Sequence, residues 1–167
     1  MFRRVFIGVG SNIGNRRAYY QKALDLMADL PQTSIVRGSS LYESEPIGEA
    51  KNWYVNGVVE LETGLSPQQL LSRLQKIELA LGRKRTALTK KWASRIIDLD
   101  ILLFDTHIMN EEQLKIPHPE MHRRRFVLLP LSELAPQFAH PLLGSTVTEL
   151  LADLADDKQV LRLPSNG

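Results

Sequence analysis

The alternation of apolar and polar positions along the chain changes period several times, and each change marks an element. VFIGVG (5–10) reads as a first strand. From 15 to 30 the spacing becomes helical, with Tyr20, Ala23, Leu24, Met27 and Leu30 on one stripe, and Pro31 ends it. Residues 34–42 predict a second strand, and ESEPIGEAKN a long loop with Pro and Gly. In YVNGVVELET (54–63) the period is two: Val55, Gly57, Val59 and Leu61 share one face, Tyr54, Asn56, Val58 and Glu60 the other. Ser66, Pro67 and Gln69 supply an N-cap, a first-turn proline and a capping-box partner. Leu70, Leu74, Ile77 and Leu81 form the buried stripe of that helix, Gly82 stops it, and Gln75 and Glu78 are placed on its flank.

RIIDLDILLF (95–104) predicts another strand, followed by a loop ending in KIPHPEM, a helical RRRFVLLPLSEL, and a last helix near 146–155. The order β-α-β-β-α-β lets two helices cover one sheet face, which predicts an α+β, ferredoxin-like βαββαβ sandwich with additional C-terminal helices. A doubly wound parallel sheet is the alternative.

The strand at 95–104 carries the candidate chemistry. Strict alternation puts Ile97, Leu99, Ile101 and Leu103 on one face and Asp98, Asp100, Leu102 and Phe104 on the other. Two carboxylates side by side repel unless a cation lies between them, either a divalent metal or a Lys or Arg across the sheet. Tyr54, Asn56, Asp98 and Asp100 would line one open side of the sheet. The segment RKRTALTKKWASR (83–95), basic and without an acid, immediately precedes this strand and could fold over that face as a lid. Arg123, Arg124 and Arg125 add a second basic cluster. Basic groups beside paired carboxylates are what the phosphates of a nucleotide require.

Composition narrows the remaining choices. At 167 residues, 43% hydrophobic and 24% charged, the chain suits one well-cored domain spanning 1–167. It has no Cys, so disulfides and thiol catalysis are excluded. The apolar stretch after Arg3 and Arg4 is broken by Gly8 and Gly10 and is too short for a signal or membrane segment, so a cytoplasmic protein without membrane contact is expected. A net charge of +2 gives no field that selects a partner. GVGSNIG spaces its glycines G-x-G-x-x-x-G, matching neither a dinucleotide-binding turn nor a P-loop, and predicts a tight strand-to-helix turn. The aromatic pattern of RNA-binding sheets is absent from both candidate central strands, so no nucleic-acid partner is expected.

In order along the chain, GSNIGNR, YESEPIG, WYVN, IELALGRKR, KWASRIIDLDILLF and IPHPEMHRRRFVLLPL resemble the successive motifs of the 6-hydroxymethyl-7,8-dihydropterin pyrophosphokinase family. The resemblance implies a ferredoxin-like fold and transfer of pyrophosphate from ATP to the pterin hydroxymethyl group in folate biosynthesis, giving AMP, with two Mg2+ ions; a monomer is expected. It also implies residue roles. Asp98 and Asp100 match the metal ligands, Arg83 and Arg95 the basic residues at the reaction centre, and Arg85 and Trp92 the loop that closes on both substrates. Ile101, His118 and Arg124 match ATP-contacting positions. Tyr54 and Phe126 match the aromatic pair around the pterin, Asn56 the reader of its polar edge, and Ser44, Pro46 and Ile47 the pterin-side loop. Where the family has W-G-P-R, this chain has Trp92, Ala93, Ser94 and Arg95, which removes the fixed bend of Gly-Pro.

Overall fold

In the computed structural model the residues described are 1–46, 52–82 and 96–165. The strands are β1 (Arg3–Ser11), β2 (Thr33–Gly38), β3 (Tyr42–Ser44), β4 (Tyr54–Thr63), β5 (Asp98–Phe104), β6 (Met109–Asn110), β7 (Lys115–Ile116) and β8 (Val160–Arg162). The helices are α1 (Arg16–Ala28), α2 (Pro67–Ala80), α3 (Arg125–Leu134) and α4 (Val147–Ala152), and a 3-10 turn covers Met121–Arg123. The main sheet runs β5-β1-β4-β3-β8, with β2 also paired to β4, and every pairing is antiparallel. This is the ferredoxin-like strand order with an added edge strand, and it excludes the doubly wound parallel alternative. β6 and β7 form a separate two-stranded ribbon.

Local chemistry accounts for the helix limits. The Asn15 side chain accepts from Ala18 N at 3.1 Å and opens α1. Ser66 and Gln69 close a reciprocal capping box on α2: Gln69 N donates to Ser66 Oγ at 3.2 Å and Ser66 N to Gln69 Oε1 at 2.9 Å. Thr146 and Glu149 repeat the device on α4.

The sheet separates two apolar clusters. Val5, Ile7, Val9, Val59, Leu61, Leu99 and Ile101 pack against Tyr20, Ala23 and Met27 of α1 and Leu70, Leu74 and Ile77 of α2. On the other face Phe6, Val58, Leu102 and Leu103 pack against Val127, Leu128 and Leu131 of α3 and Val147 of α4. The second cluster covers only part of its face. The part nearer Gly8, Gly10, Tyr54 and Asp98 forms the floor of a cleft.

Three sequence expectations need correction. First, β5 does not alternate to its end: Phe6 pairs with Leu103 and the next residue, Ile7, with Ile101, so Leu102 is the extra residue of a bulge. The bulge turns Leu103 to the cleft side and Phe104 to the α1–α2 side, the reverse of strict alternation. Second, the single strand expected over 34–42 is two strands laid end to end along β4. Ser39 Oγ takes the Val58 N–H at 2.9 Å and Ser40 N donates to Glu133 at 3.1 Å, so side chains interrupt the ladder. Third, Gly8 and Gly10 lie inside β1, and only Gly14, at φ +68°, occupies the turn into α1.

Candidate active site

Cross-strand register explains why a cleft exists. On β1, Gly8 pairs with Asp100 on one side and Val58 on the other, and Gly10 with Asp98 and Asn56. Paired residues share a face, so the central strand contributes bare backbone between a carboxylate strand and an amide-and-aromatic strand. Among the described residues Ser44, Tyr54, Asn56, Asp98, Asp100, His118, Arg124 and Phe126 line this cleft.

Each wall has its own support. Ser44 Oγ donates to Asn56 Oδ1 at 2.7 Å, both residues being buried, which fixes the amide and directs its N–H2 group toward Gly10. Beside them, Tyr42 is paired with Asn56 and donates to Glu133 of α3. Burial first, and then Glu133, push the Tyr42 phenol up to about 12, so it remains a donor near neutrality. At the opposite edge, His118 N donates to Leu102 O at 2.9 Å and Glu120 N donates to His118 Nδ1 at 3.1 Å. A neutral His118 therefore carries its proton on Nε2.

Arg124 and Phe126 flank the start of α3, with the guanidinium 5.7 Å from the ring centroid. Burial lowers the Arg124 pKa, while the carboxylates of Glu120, Asp100, Asp98 and Asp156 act in the opposite direction. The guanidinium stays charged and shares its field with the D-x-D pair.

Most of the expected site residues thus meet around one cleft. Pro46 is half-buried, two residues beyond Ser44. Ile101 does not join them: it is buried in the α1–α2 core, so its side chain cannot reach a ligand in the cleft and only its main chain is available. Ile47, Arg83, Arg85, Trp92 and Arg95, and with them the expected lid, lie outside the described residues.

Two contributions went unread in the sequence. Gly8 and Gly10 form the floor, and their period-two spacing within an apolar run was the signal. Glu78 is buried rather than solvated, and one of its carboxylate oxygens accepts Leu99 N at 2.9 Å, between the two aspartates. Its position in the 70, 74, 77, 78, 81 stripe of α2 could have shown this.

Two hard carboxylates on one strand face suit a Mg2+ ion that completes its shell with phosphate oxygens and water. Among the described residues no group of three His, Cys, Asp or Glu side chains could hold a metal ion.

Fold comparison gives the general class. The chain superimposes on crystal structures of HPPK-DHPS: one in complex with substrates, at TM-score 0.70 and 14% identity, covers 91% of this chain and 43% of that one. The wild-type Plasmodium falciparum HPPK-DHPS with pterin and p-hydroxybenzoate gives TM-score 0.71 at 17% identity, covering 91% and 42%. The chain therefore spans under half of each, and at these identities the likeness shows fold alone. Residues 6–136 match the 7,8-dihydro-6-hydroxymethylpterin-pyrophosphokinase (HPPK) family, and the chain belongs to it.

Similarity over about nine-tenths of both chains extends to 2-amino-4-hydroxy-6-hydroxymethyldihydropteridine pyrophosphokinases. That of Pseudomonas aeruginosa is 45% identical over 153 residues, 91% of this chain and 92% of the relative. That of Haemophilus influenzae is 40% identical over 93% and 95% of the two chains. The family activity is pyrophosphoryl transfer from ATP to 6-hydroxymethyl-7,8-dihydropterin in folate biosynthesis.

Proposed function

We propose that the cleft over Gly8 and Gly10 is where this chain holds both substrates of that reaction, with pterin over the β4 side and nucleotide phosphates over the β5 side. The observation that carries the reading is the convergence of Tyr54, Asn56, Asp98, Asp100, His118, Arg124 and Phe126 on one glycine floor.

In this reading Tyr54 and Phe126 take the flat pterin between them, since planar heterocycles gain from stacking while polar groups set orientation. Asn56, its amide fixed by Ser44, reads the polar edge. Main-chain groups around Ser44 and Pro46 complete that side, and Ile47 keeps the pterin-side role implied by the resemblance. Asp98 and Asp100 would hold two Mg2+ ions, which when bound supply charge neutralisation for the phosphates. Arg124 and His118 Nε2 contact phosphate oxygens, and Ile101 offers main chain only. Arg83, Arg85, Trp92 and Arg95 keep the roles implied by the resemblance, with the motif as their support.

The chain's task is positioning. The hydroxymethyl oxygen must stand in line with the β-phosphorus, and fixed cationic groups must meet the charge developing on the phosphates. When that oxygen bonds to the β-phosphorus, the bond between β-phosphorus and the α,β-bridging oxygen breaks. AMP leaves, and the hydroxyl proton passes to solvent.

We further propose a single pyrophosphokinase domain over 1–167, acting as a cytoplasmic monomer without nucleic-acid or membrane partners. In support, one sheet carries both apolar clusters, and among the described residues no helix is long and apolar enough to cross a membrane. The reaction is tested by incubating the protein with ATP, Mg2+ and hydroxymethyl-dihydropterin and separating the nucleotides. AMP equal to pterin pyrophosphate is expected; steady ADP would defeat the assignment.

A further inference from the structure

We propose that the C-terminal segment 153–162 is a strap that positions both walls of the cleft, through Asp156 on the Arg124–Phe126 wall and through Gln159 on the Ser44–Glu45 wall. The inference rests on the reading that Arg124 and Phe126 meet ligand. The segment lies beyond residues 6–136, where the family match ends.

α3 begins without a cap of its own. Its N-cap residue is Arg124, whose side chain makes no capping bond, so its first N–H groups need acceptors from elsewhere. Asp156 supplies one: its Oδ2 accepts Arg125 N at 2.9 Å, and its main-chain oxygen accepts the Arg125 guanidinium at 3.1 Å. The other carboxylate oxygen accepts Lys158 N at 3.0 Å, which holds the capping group itself in place. Arg125 stands between Arg124 and Phe126, both lining the cleft. Asp156 also contributes to the field at Arg124.

Three residues further on, the same segment grips the opposite wall. Gln159 N donates to Glu45 Oε1 at 2.7 Å and Glu45 N to Gln159 O at 3.1 Å. β8 then pairs with β3, Val160 opposite Ser44 and Arg162 opposite Tyr42. Ser44 and Glu45 line the cleft, and Ser44 orients Asn56. The stretch 156–160 therefore fixes the distance between the helix that would present an aromatic face and the strand that would read the ligand's edge. A displacement of about 1 Å in such groups costs on the order of a hundredfold in rate, so the brace bears on function without touching substrate. Asp156 and Gln159 are positioning residues.

The test compares Asp156→Ala with Asp156→Asn, which still accepts a hydrogen bond, in the full chain. Affinities for a non-hydrolysable ATP analogue with Mg2+ and for hydroxymethylpterin are measured beside Arg125 amide exchange. Asp156→Ala should speed that exchange and weaken both ligands by about threefold to tenfold, the range of a lost cap, while Asp156→Asn stays within about twofold. Gln159→Pro, which removes the main-chain donor to Glu45 Oε1 and also fixes φ at 159, should weaken pterin by about threefold and leave the ATP analogue unchanged. It decides the matter if Asp156→Ala does not fold. Unaltered affinities in Asp156→Ala despite faster Arg125 exchange, or in Gln159→Pro, overturn the strap. Loss of ligand affinity in Arg124→Ala and Phe126→Ala beside normal Asp156→Ala binding sinks this inference alone, whereas normal binding in those two sinks the reading beneath it.

Discussion

Replacing Gly10 by alanine separates the fold from the site. An added Cβ would lie 3.4 Å from Asn56 Nδ2, 3.5 Å from Tyr54 Cδ1 and 3.9 Å from Val55 O, all ordinary van der Waals contacts. Alanine therefore fits the backbone, and Gly→Ala inside a strand should stabilise by roughly 0.5–1 kcal/mol. The same methyl rises from the cleft floor between Asp98 and Asn56, where the ligand would lie. Overpacking of a fitted site costs roughly 1–3 kcal/mol, which weakens binding by roughly 5- to 160-fold. Calorimetric titration with hydroxymethylpterin in the presence of an ATP analogue reads the affinity, and thermal unfolding reads the stability. Gly57→Ala is the converse control: its Cβ would stand 2.3 Å from the Tyr20 hydroxyl and 3.0 Å from Ser39 Oγ on the helix side. It should lower the melting temperature while the folded protein keeps its pterin affinity. Adding Tyr20→Phe should restore part of the loss, the ring carbon beneath being 3.1 Å away. A Gly10→Ala protein that binds pterin as tightly as the original, or that melts earlier, refutes the reasoning.

Other expectations follow from the same geometry. Asp98→Ala and Asp100→Ala should each lower turnover by about a thousandfold or more with the fold intact, since removing one carboxylate relieves mutual repulsion; near-normal turnover in both would make the pair structural. Tyr54→Ala and Phe126→Ala should each weaken pterin by roughly 1–3 kcal/mol and leave the ATP analogue unaffected, as equilibrium titration of both ligands would read; an equal loss for ATP would move the aromatics to the nucleotide side. His140 accepts Leu142 N at 3.2 Å and Leu143 N at 3.1 Å on Nδ1, and burial followed by neighbouring His122 holds its pKa below the ordinary value. The unfolded chain thus binds the proton first as pH falls, so the contribution is present above about pH 6.5 and lost below it; the decline in melting temperature should flatten in His140→Gln, and identical slopes would rule it out.

Much of this was legible because local rules agreed with the fold. The period-two run over 54–63 and the Ser66–Gln69 box set β4 and α2, and the element order then left few ways to pair the strands. Asp98 and Asp100 were readable as a candidate site because two carboxylates on an apolar strand conflict with local preference. What stayed hidden depends on partners distant in sequence. The Leu102 bulge is set by pairing with Phe6 and Ile7, and the break at Ser39–Ser40 by Val58 and Glu133. Gly8 and Gly10 acquire meaning only once Asp98, Asp100 and Asn56 are placed beside them. β8 has three residues and no apolar period; its pairing with β3 and the Asp156 bond to Arg125 exist only when the chain closes on itself.

The most direct measurement of where the chemistry occurs is a crystal structure of the protein with Mg2+, a non-hydrolysable ATP analogue and hydroxymethylpterin. The pterin ring is expected between Tyr54 and Phe126 with its edge on Asn56. Metal density is expected between the phosphates and both Asp98 and Asp100, with phosphate oxygens within hydrogen-bond distance of Arg124 and His118 Nε2. Pterin or phosphates bound away from the Gly8–Gly10 floor, or metal that contacts neither aspartate, would contradict it.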